Sequence, residues 1–237
     1  MATGPFRVYV RDEEACASCG FCEEYFACPG MGRPVMERDP GRCVGCGVCF
    51  LACPYEAVVE EEDPGPRGTI RVEVEGEAYE VPERITVREA LELLGFHFSR
   101  LPGEGLSAPC ETGGCFTCSV LVNGQLLPSC TTPVEDGMRI EFPEPGSRLL
   151  RRVSGFQPHP VGGVGTPWWL KEKGHYIEVA CFAHGCNLRC PQCQNFTVTY
   201  DNVERPMGPR EAAEILTALR REYGVDRMAI SGGEPTL

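Results

Sequence analysis

The sequence lacks any run approaching the roughly 20 apolar residues that a membrane-spanning helix needs. It also lacks the basic start and apolar stretch of a secretion signal, since its first residues read MATGPFRVYVRDEEACASCG. Positive charge is short as well: the net charge is −12. Phosphate binding needs a basic face, so nucleic acid is excluded as a partner, and so is a membrane. The acid is patchy, as at Glu60, Glu61, Glu62 and Asp63. A solvated linker explains that run better than a docking site. With 237 residues, 42% of them apolar, the chain has room for one large domain or for two to three small ones.

What the sequence has in plenty is cysteine, 16 in all. A secreted disulfide scaffold and a metal protein are the two readings of such a count. Disulfide scaffolds scatter their cysteines through loops and carry a secretion signal. Here the cysteines fall into four tight groups, and thiols as close as Cys43, Cys46 and Cys49 converge on one inorganic cube more easily than they pair. The reading is metal in a reducing compartment, the cytoplasm.

Four segments follow along the chain. Residues 5–62 hold a strand at Phe6 to Val10, two cysteine runs and a closing strand near Ala57 to Glu60. A Pro/Gly linker, Asp63-Pro64-Gly65-Pro66-Arg67-Gly68, leads to a domain over 68–143. There Ile70, Val72 and Val74 alternate, Gly76 turns the chain, and a second strand lies near Tyr79 and Val81. Thr86 and Glu89 form a capping box ahead of the helical face Val87, Ala90, Leu91 and Leu94, which Gly95 stops. With strand candidates at Ser119 to Val122 and Met138 to Phe142, the order suggests a β-grasp fold. Residues 144–174, rich in Pro and Gly with a basic knot at Arg148, Arg151 and Arg152, read as a linker. Residues 175–237 run strand (Tyr176 to Ala180), cysteine loop, helix, strand (Met228 to Ile230) and glycine loop, a unit of a parallel sheet or barrel. The helix starts at Pro209, ends at Gly224, and aligns Ala212, Ile215, Leu216, Leu219 and Tyr223.

Cys43, Cys46, Cys49 and Cys53-Pro54 match the C-x₂-C-x₂-C-x₃-C-P run of bacterial ferredoxins. Three thiolates two residues apart hold three irons of a cube, and the fourth reaches a neighbouring cube. Gly45 and Gly47 let backbone amides approach the sulfurs. A zinc knuckle, the alternative, uses paired C-x₂-C units and leaves the third cysteine and the Pro unexplained. The partner run Cys16, Cys19, Cys22 ends at Cys28-Pro29 after five residues instead of three. Together the runs resemble a two-cluster 4Fe–4S ferredoxin of α+β fold. The resemblance implies one cube on Cys16, Cys19, Cys22 and Cys53, and another on Cys43, Cys46, Cys49 and Cys28.

Cys110, Cys115 and Cys118, followed by Cys130, follow the plant-type 2Fe–2S spacing. Gly113 and Gly114 suit a loop wrapping the cluster, and a hairpin turning at Asn123-Gly124 returns the last ligand. The short gap to Cys130 resembles the 2Fe–2S domains of succinate dehydrogenase iron–sulfur subunits and related oxidoreductases. Structural zinc is again the alternative.

Cys186, Cys190 and Cys193 are spaced C-x₃-C-x₂-C. Three thiolates leave one iron of a 4Fe–4S cube open to a small molecule. This loop follows a strand, and Ser231-Gly232-Gly233-Glu234-Pro235 follows the next. The segment thereby resembles radical S-adenosylmethionine (SAM) enzymes, particularly the activating enzymes of glycyl-radical proteins. The resemblance implies the start of an α/β, TIM-like barrel and SAM held at Gly232, Gly233, Glu234 and Pro235. One departure is Gln192, where an aromatic residue precedes the last cysteine in that superfamily. These sets use fifteen cysteines and leave Cys181, read as a buried apolar thiol. His184 reads as a solvent-facing loop histidine, and Trp168 and Trp169 as packing residues.

The function expected is an iron–sulfur radical SAM protein. It carries three 4Fe–4S clusters, one 2Fe–2S cluster and SAM, relaying electrons from a donor protein or reductase for reductive SAM cleavage, with a substrate protein as the radical's target. The alternative is a non-catalytic iron–sulfur electron-transfer subunit of an oxidoreductase complex. Two strands and one helix fall short of about six strand–helix units, so a fragment of a longer protein, or a remnant domain, is expected.

Overall fold

The computed structural model describes residues 6–28, 40–63, 65–101, 105–144, 149–160, 169 and 175–237. Pro29, Pro64, Arg148 and Trp168, singled out above, lie outside the described residues.

Strands β1 (Phe6–Arg11) and β2 (Val58–Asp63) pair antiparallel with Phe6 opposite Asp63 and close the N-terminal unit. Between them lie two short helices, α1 (Phe21–Glu24) and α2 (Val48–Ala52). Each starts from a left-handed glycine, Gly20 at φ 75° and Gly47 at φ 74°. A side chain resists that backbone, which explains why a glycine stands between the second and third cysteine of both runs. Val8, Tyr9, Cys43 and Val58 form one small core, and Phe21, Phe26, Val48 and Ala52 another.

The second unit is a five-stranded mixed sheet covered by a helix. Its strands are β3 (Thr69–Val74), β4 (Glu77–Pro82), β5 (Ser119–Val122), β6 (Gln125–Pro128) and β7 (Met138–Glu141), in the order β4-β3-β7-β5-β6. The β3 and β7 pair is parallel at its centre, and the outer pairs are antiparallel hairpins. Helix α3 (Val87–Leu93) begins where the Glu89 amide donates to the Thr86 hydroxyl at 3.1 Å. It buries Val87, Ala90 and Leu91 against Val72, Val74, Val120 and Ile140. Asn123 and Gly124 both have positive φ, 51° and 80°, as the tight turn joining β5 and β6 requires.

The third unit corrects one expectation. The stretch read as a linker holds β8 (Arg151–His159), which pairs antiparallel with β9 (Glu178–Ala183). A register shift between Ser154 and Gln157 spans Gly155, which sits at φ 64°. Strand β9 pairs in parallel with β11 (Arg227–Gly232), and β10 (Pro206–Met207) adds to the other side of β8. The order β10-β8-β9-β11 is an open sheet, and no closed barrel forms among the described residues. Helix α4 (Phe196–Tyr200) follows the cysteine loop, and α5 (Pro209–Glu222) packs Ala212, Ile215, Leu216 and Leu219 onto the sheet. Among the described residues no helix is long and apolar enough to cross a membrane.

Candidate metal centres

All sixteen cysteines are described, and none is in a disulfide. In the second unit, the loop from Cys110 to Cys118 passes through positive φ at Glu111, Gly113 and Phe116, 58°, 78° and 61°. Such turns aim backbone N–H groups inward, as anion-binding loops do. Cys110, Cys115, Cys118 and Cys130 are all buried. Their thiols meet in two hydrogen-bonded pairs, Cys110 with Cys115 and Cys118 with Cys130. Within each pair the shared bond is the main cause of opposite shifts. Cys110 and Cys118 are held toward thiolate, and Cys115 and Cys130 are pushed up. The Thr112 amide donates to the Cys110 sulfur at 3.5 Å and the Thr117 hydroxyl to that of Cys115 at 3.3 Å. The buried Thr112 and Ser129 hydroxyls lie beside the Cys110 and Cys118 sulfurs, where both can donate to a cluster sulfur. Two thiol pairs, inward amides and hydroxyl donors fit a two-iron centre with one pair on each iron. Among the described residues no three or more His, Cys, Asp or Glu side chains close on a single-ion position.

In the N-terminal unit, Cys46 is pushed well up, by burial first and then by the neighbouring Cys49, with Cys28 and Cys43 adding to it. Those four thiols are brought together. Crowding of this kind penalises thiolates unless irons neutralise them, which suits a cube. Cys53 caps the end of α2 and accepts the Ala57 amide at 3.3 Å. Cys16 and Cys22 are half-buried and Cys19 is exposed. Backbone approach is tight at Gly45, where an added Cβ would lie 2.8 Å from the Arg7 carbonyl oxygen.

In the C-terminal loop the Leu188 amide donates to Cys186 Sγ at 3.3 Å, and Cys193 lies 3.8 Å from the Thr199 hydroxyl. Burial pushes Cys186 up, with the Leu188 amide and Arg189 pulling the other way. Cys190 and Gln192 are exposed. The Gly-Gly-Glu-Pro loop folds back on the same place. Gly233 N–H donates to Ala183 O at 2.8 Å, Glu234 N–H to Gly185 O at 3.0 Å, and Asn195 Nδ2 to Gly232 O at 3.1 Å. Glu234 is held below the usual carboxylate range by the Thr236 hydroxyl and amide.

Several residues here escape a reading by spacing. Arg151 donates to the carbonyls of His184, Gly185, Glu234, Pro235 and Leu237. Arg152 donates to Gly113 and Glu204. His184, expected to face solvent, is 0% exposed, with Nε2 2.8 Å from Ser154 Oγ and Nδ1 3.1 Å from Asp201 O. The two basic residues in succession at Arg151 and Arg152 were the available signal. Cys181 is buried among Val153, Val179, Met207, Leu216 and Val225. Trp169, expected to pack, is 64% exposed.

Three protein families match parts of the chain. They are a 2Fe–2S iron–sulfur cluster binding domain over residues 67–145, a 4Fe–4S binding domain over 36–59, and a 4Fe–4S single cluster domain over 173–237. The chain therefore carries iron–sulfur domains of the ferredoxin type, with the capability for electron transfer. It is 44% identical over 128 residues to an uncharacterized iron–sulfur protein of Methanocaldococcus jannaschii, covering 49% of this chain and 25% of that one. It is 50% identical over 40 residues to a subunit of the ferredoxin:CoB–CoM heterodisulfide reductase of Methanosarcina mazei, covering 17% of this chain and 5% of that subunit. The corresponding heterodisulfide reductase subunit of Methanosarcina acetivorans matches to the same extent. The chain thus spans a quarter or less of the length of these relatives.

Proposed function

We propose that the chain is an electron-relay unit of an oxidoreductase. In this reading Cys16, Cys19, Cys22 and Cys53 hold one 4Fe–4S cluster, and Cys43, Cys46, Cys49 and Cys28 a second. Cys110, Cys115, Cys118 and Cys130 hold a 2Fe–2S cluster, and Cys186, Cys190 and Cys193 a third 4Fe–4S cluster with one iron lacking a thiolate. The clusters supply one-electron chemistry, at about −400 mV for a plant-type 2Fe–2S centre. The protein sets spacing, amide hydrogen bonds and burial. The observation carrying this reading is that the three-cysteine loop and the helix α4 that follows it together touch both other units. Phe196 of α4 lies 5.0 Å from Phe21, and Asn202 Oδ1 accepts the Ala27 amide at 3.0 Å. On the other side, Arg189 donates to Cys110 O at 2.7 Å. The partners are a donor protein or reductase and a terminal acceptor, in a reducing, oxygen-poor compartment. Anaerobic reconstitution followed by iron and sulfide analysis and a redox-titrated EPR series tests it. Signals of one 2Fe–2S and three 4Fe–4S centres are expected, and a zinc-bound, EPR-silent protein is the contrary result.

A second reading is favoured by the Gly232–Pro235 loop hydrogen-bonded to the strand end ahead of Cys186. That loop and an open iron suit SAM, with Glu234 and the Gly232 and Gly233 backbone toward its amino group, and a radical acting on a substrate protein. Added SAM would then perturb one reduced 4Fe–4S signal and yield 5′-deoxyadenosine. An unperturbed signal with no such product leaves only the relay.

A further inference from the structure

At the centre of the seam between the 2Fe–2S loop and the three-cysteine loop, backbone lies against backbone. A Cβ added at Gly114 would lie 2.6 Å from Gly185 N and 2.9 Å from Gly185 Cα. One added at Gly185 would lie 2.6 Å from Cys115 N, 3.0 Å from Cys115 Cβ and 3.1 Å from Cys110 Cβ. Gly185 therefore rests on both cysteines of one thiol pair, and Cys186 is the next residue, a Cα step of about 3.8 Å. The far side is equally close, since a Cβ on Gly233 would lie 2.2 Å from Gly185 O.

The seam is also locked and dry. Gly113, Gly114, Cys115, His184 and Gly185 are all buried. Arg152 donates from its backbone N–H to Gly114 O and from Nε to Gly113 O, both at 3.3 Å. The next strand residue, Arg151, grips His184 O at 2.8 Å from the other loop. Arg189, between Cys186 and Cys190, donates to Cys110 O at 2.7 Å and lies 3.9 Å from the Glu111 carboxylate. The N-terminal unit meets this segment further on, past the last of the three cysteines: the Phe21 and Phe196 rings are 5.0 Å apart, Asn202 N–H donates to Tyr25 O at 3.3 Å, and Asn202 Oδ1 accepts the Ala27 amide at 3.0 Å.

Electron tunnelling weakens exponentially with separation, so a seam at Gly185, the residue before Cys186, resting on Cys110 and Cys115, outcompetes contacts at Phe196 and Asn202 beyond the last cysteine. We infer that the Cys110/Cys115 side of the 2Fe–2S loop is the immediate electron donor to the three-cysteine site, with Gly114 and Gly185 as positioning residues that permit the contact. The inference rests on the relay reading above. With both clusters bound, one electron would cross the seam, the centre held by Cys110, Cys115, Cys118 and Cys130 being oxidised by one and the centre held by Cys186, Cys190 and Cys193 reduced by one. No proton moves and no bond changes, and a low-potential one-electron donor protein restores the first centre.

The test uses the full chain, reconstituted anaerobically and reduced with titanium(III) citrate, with spin-relaxation EPR of the 2Fe–2S signal. Wild type is compared with Cys186→Ala, Gly114→Ala and Gly124→Ala. Gly114 does not need a left-handed backbone, so its substitution alters space alone, whereas Gly124 has φ +80° and nothing within 4 Å of an added Cβ. Fast relaxation is expected in wild type and Gly124→Ala, and its loss in Cys186→Ala and in Gly114→Ala with 2Fe–2S iron retained. Equal relaxation in wild type and Cys186→Ala, where Cys186→Ala has lost a cube's iron, overturns the inference but leaves the relay intact. If Cys186→Ala loses no iron, the relay reading itself fails and the inference with it. Should Gly114→Ala not fold, the wild-type and Cys186→Ala comparison still decides.

Discussion

At Arg151 one guanidinium serves the carbonyls of five residues, two before Cys186 and three around the Gly-Gly-Glu-Pro loop. Carbonyls ending a sheet need partners once water is excluded, and a planar five-donor fork can serve several together. Hydrogen bonds to a charged group contribute about 1.5–3 kcal/mol each, and not additively. Arg151→Ala is therefore expected to destabilise the C-terminal unit by roughly 3 kcal/mol. Arg151→Lys recovers little, because an ammonium lacks the fork. Chemical denaturation followed through α5 unfolding measures this, and a loss under about 0.5 kcal/mol would contradict the role. Neither this role nor the burial of His184 was legible in the sequence. Arg151 reaches carbonyls 33 to 86 positions away, and the partners of His184 lie 30 and 17 positions away, whereas cysteine spacing is local and readable.

At the scale of elements, β8 shows why one strand was missed. Its sequence, RRVSGFQPH, carries Gly155 and Pro158, both of which argue against a strand. The structure accommodates both. Strand β10 pairs only with Arg151 and Arg152, so Pro158 lies in an edge stretch where its missing N–H is tolerated. Gly155 takes φ 64° at the bulge, and a Cβ there would meet the Phe182 ring at 2.7 Å. Gly155→Ala is expected to cost roughly 1–3 kcal/mol by combining a left-handed φ with that clash. A thermal shift no larger than that of Gly76→Ala, a turn glycine with φ +83° and open space, would show that the bulge tolerates a side chain. Helix α3, by contrast, was legible from Thr86 to Gly95 because its cap, apolar face and stop are all local. Glu89 departs from the capping box in part: its amide reaches Thr86, but its carboxyl is mostly buried and pushed up by that burial, with Arg67 and Arg7 countering.

Across the whole molecule the units are clamped together. Asp63, at the end of β2, meets Arg84 at 2.5 Å and Arg67 at 3.3 Å, and Arg84 also reaches the Gly41 carbonyl. Burial opposes ionisation of Asp63, but the Gly65 amide and the two guanidinium groups outweigh it, holding its carboxyl below the usual carboxylate range. A carboxyl with a depressed folded pKa stabilises the native state above its unfolded value, and that contribution is lost as pH falls through the folded one. Asp63→Asn is expected to loosen the clamp by about 1 kcal/mol and to raise proteolysis between the units at neutral pH. An unchanged cleavage rate would place the docking energy elsewhere. The acidic run Glu60 to Asp63, which reads as a solvated linker, lies wholly within this strand and pairs with β1, so its charge was legible and its pairing was not.

The proposed relay turns on a cube held by Cys186, Cys190 and Cys193 and served by the clusters ahead of it. The direct measurement is Mössbauer spectroscopy with iron counting on anaerobically reconstituted wild type and Cys186→Ala. The variant is expected to lose one 4Fe–4S component, including the iron without a thiolate, while the 2Fe–2S and the other two 4Fe–4S components persist. Identical spectra for the two proteins would contradict it.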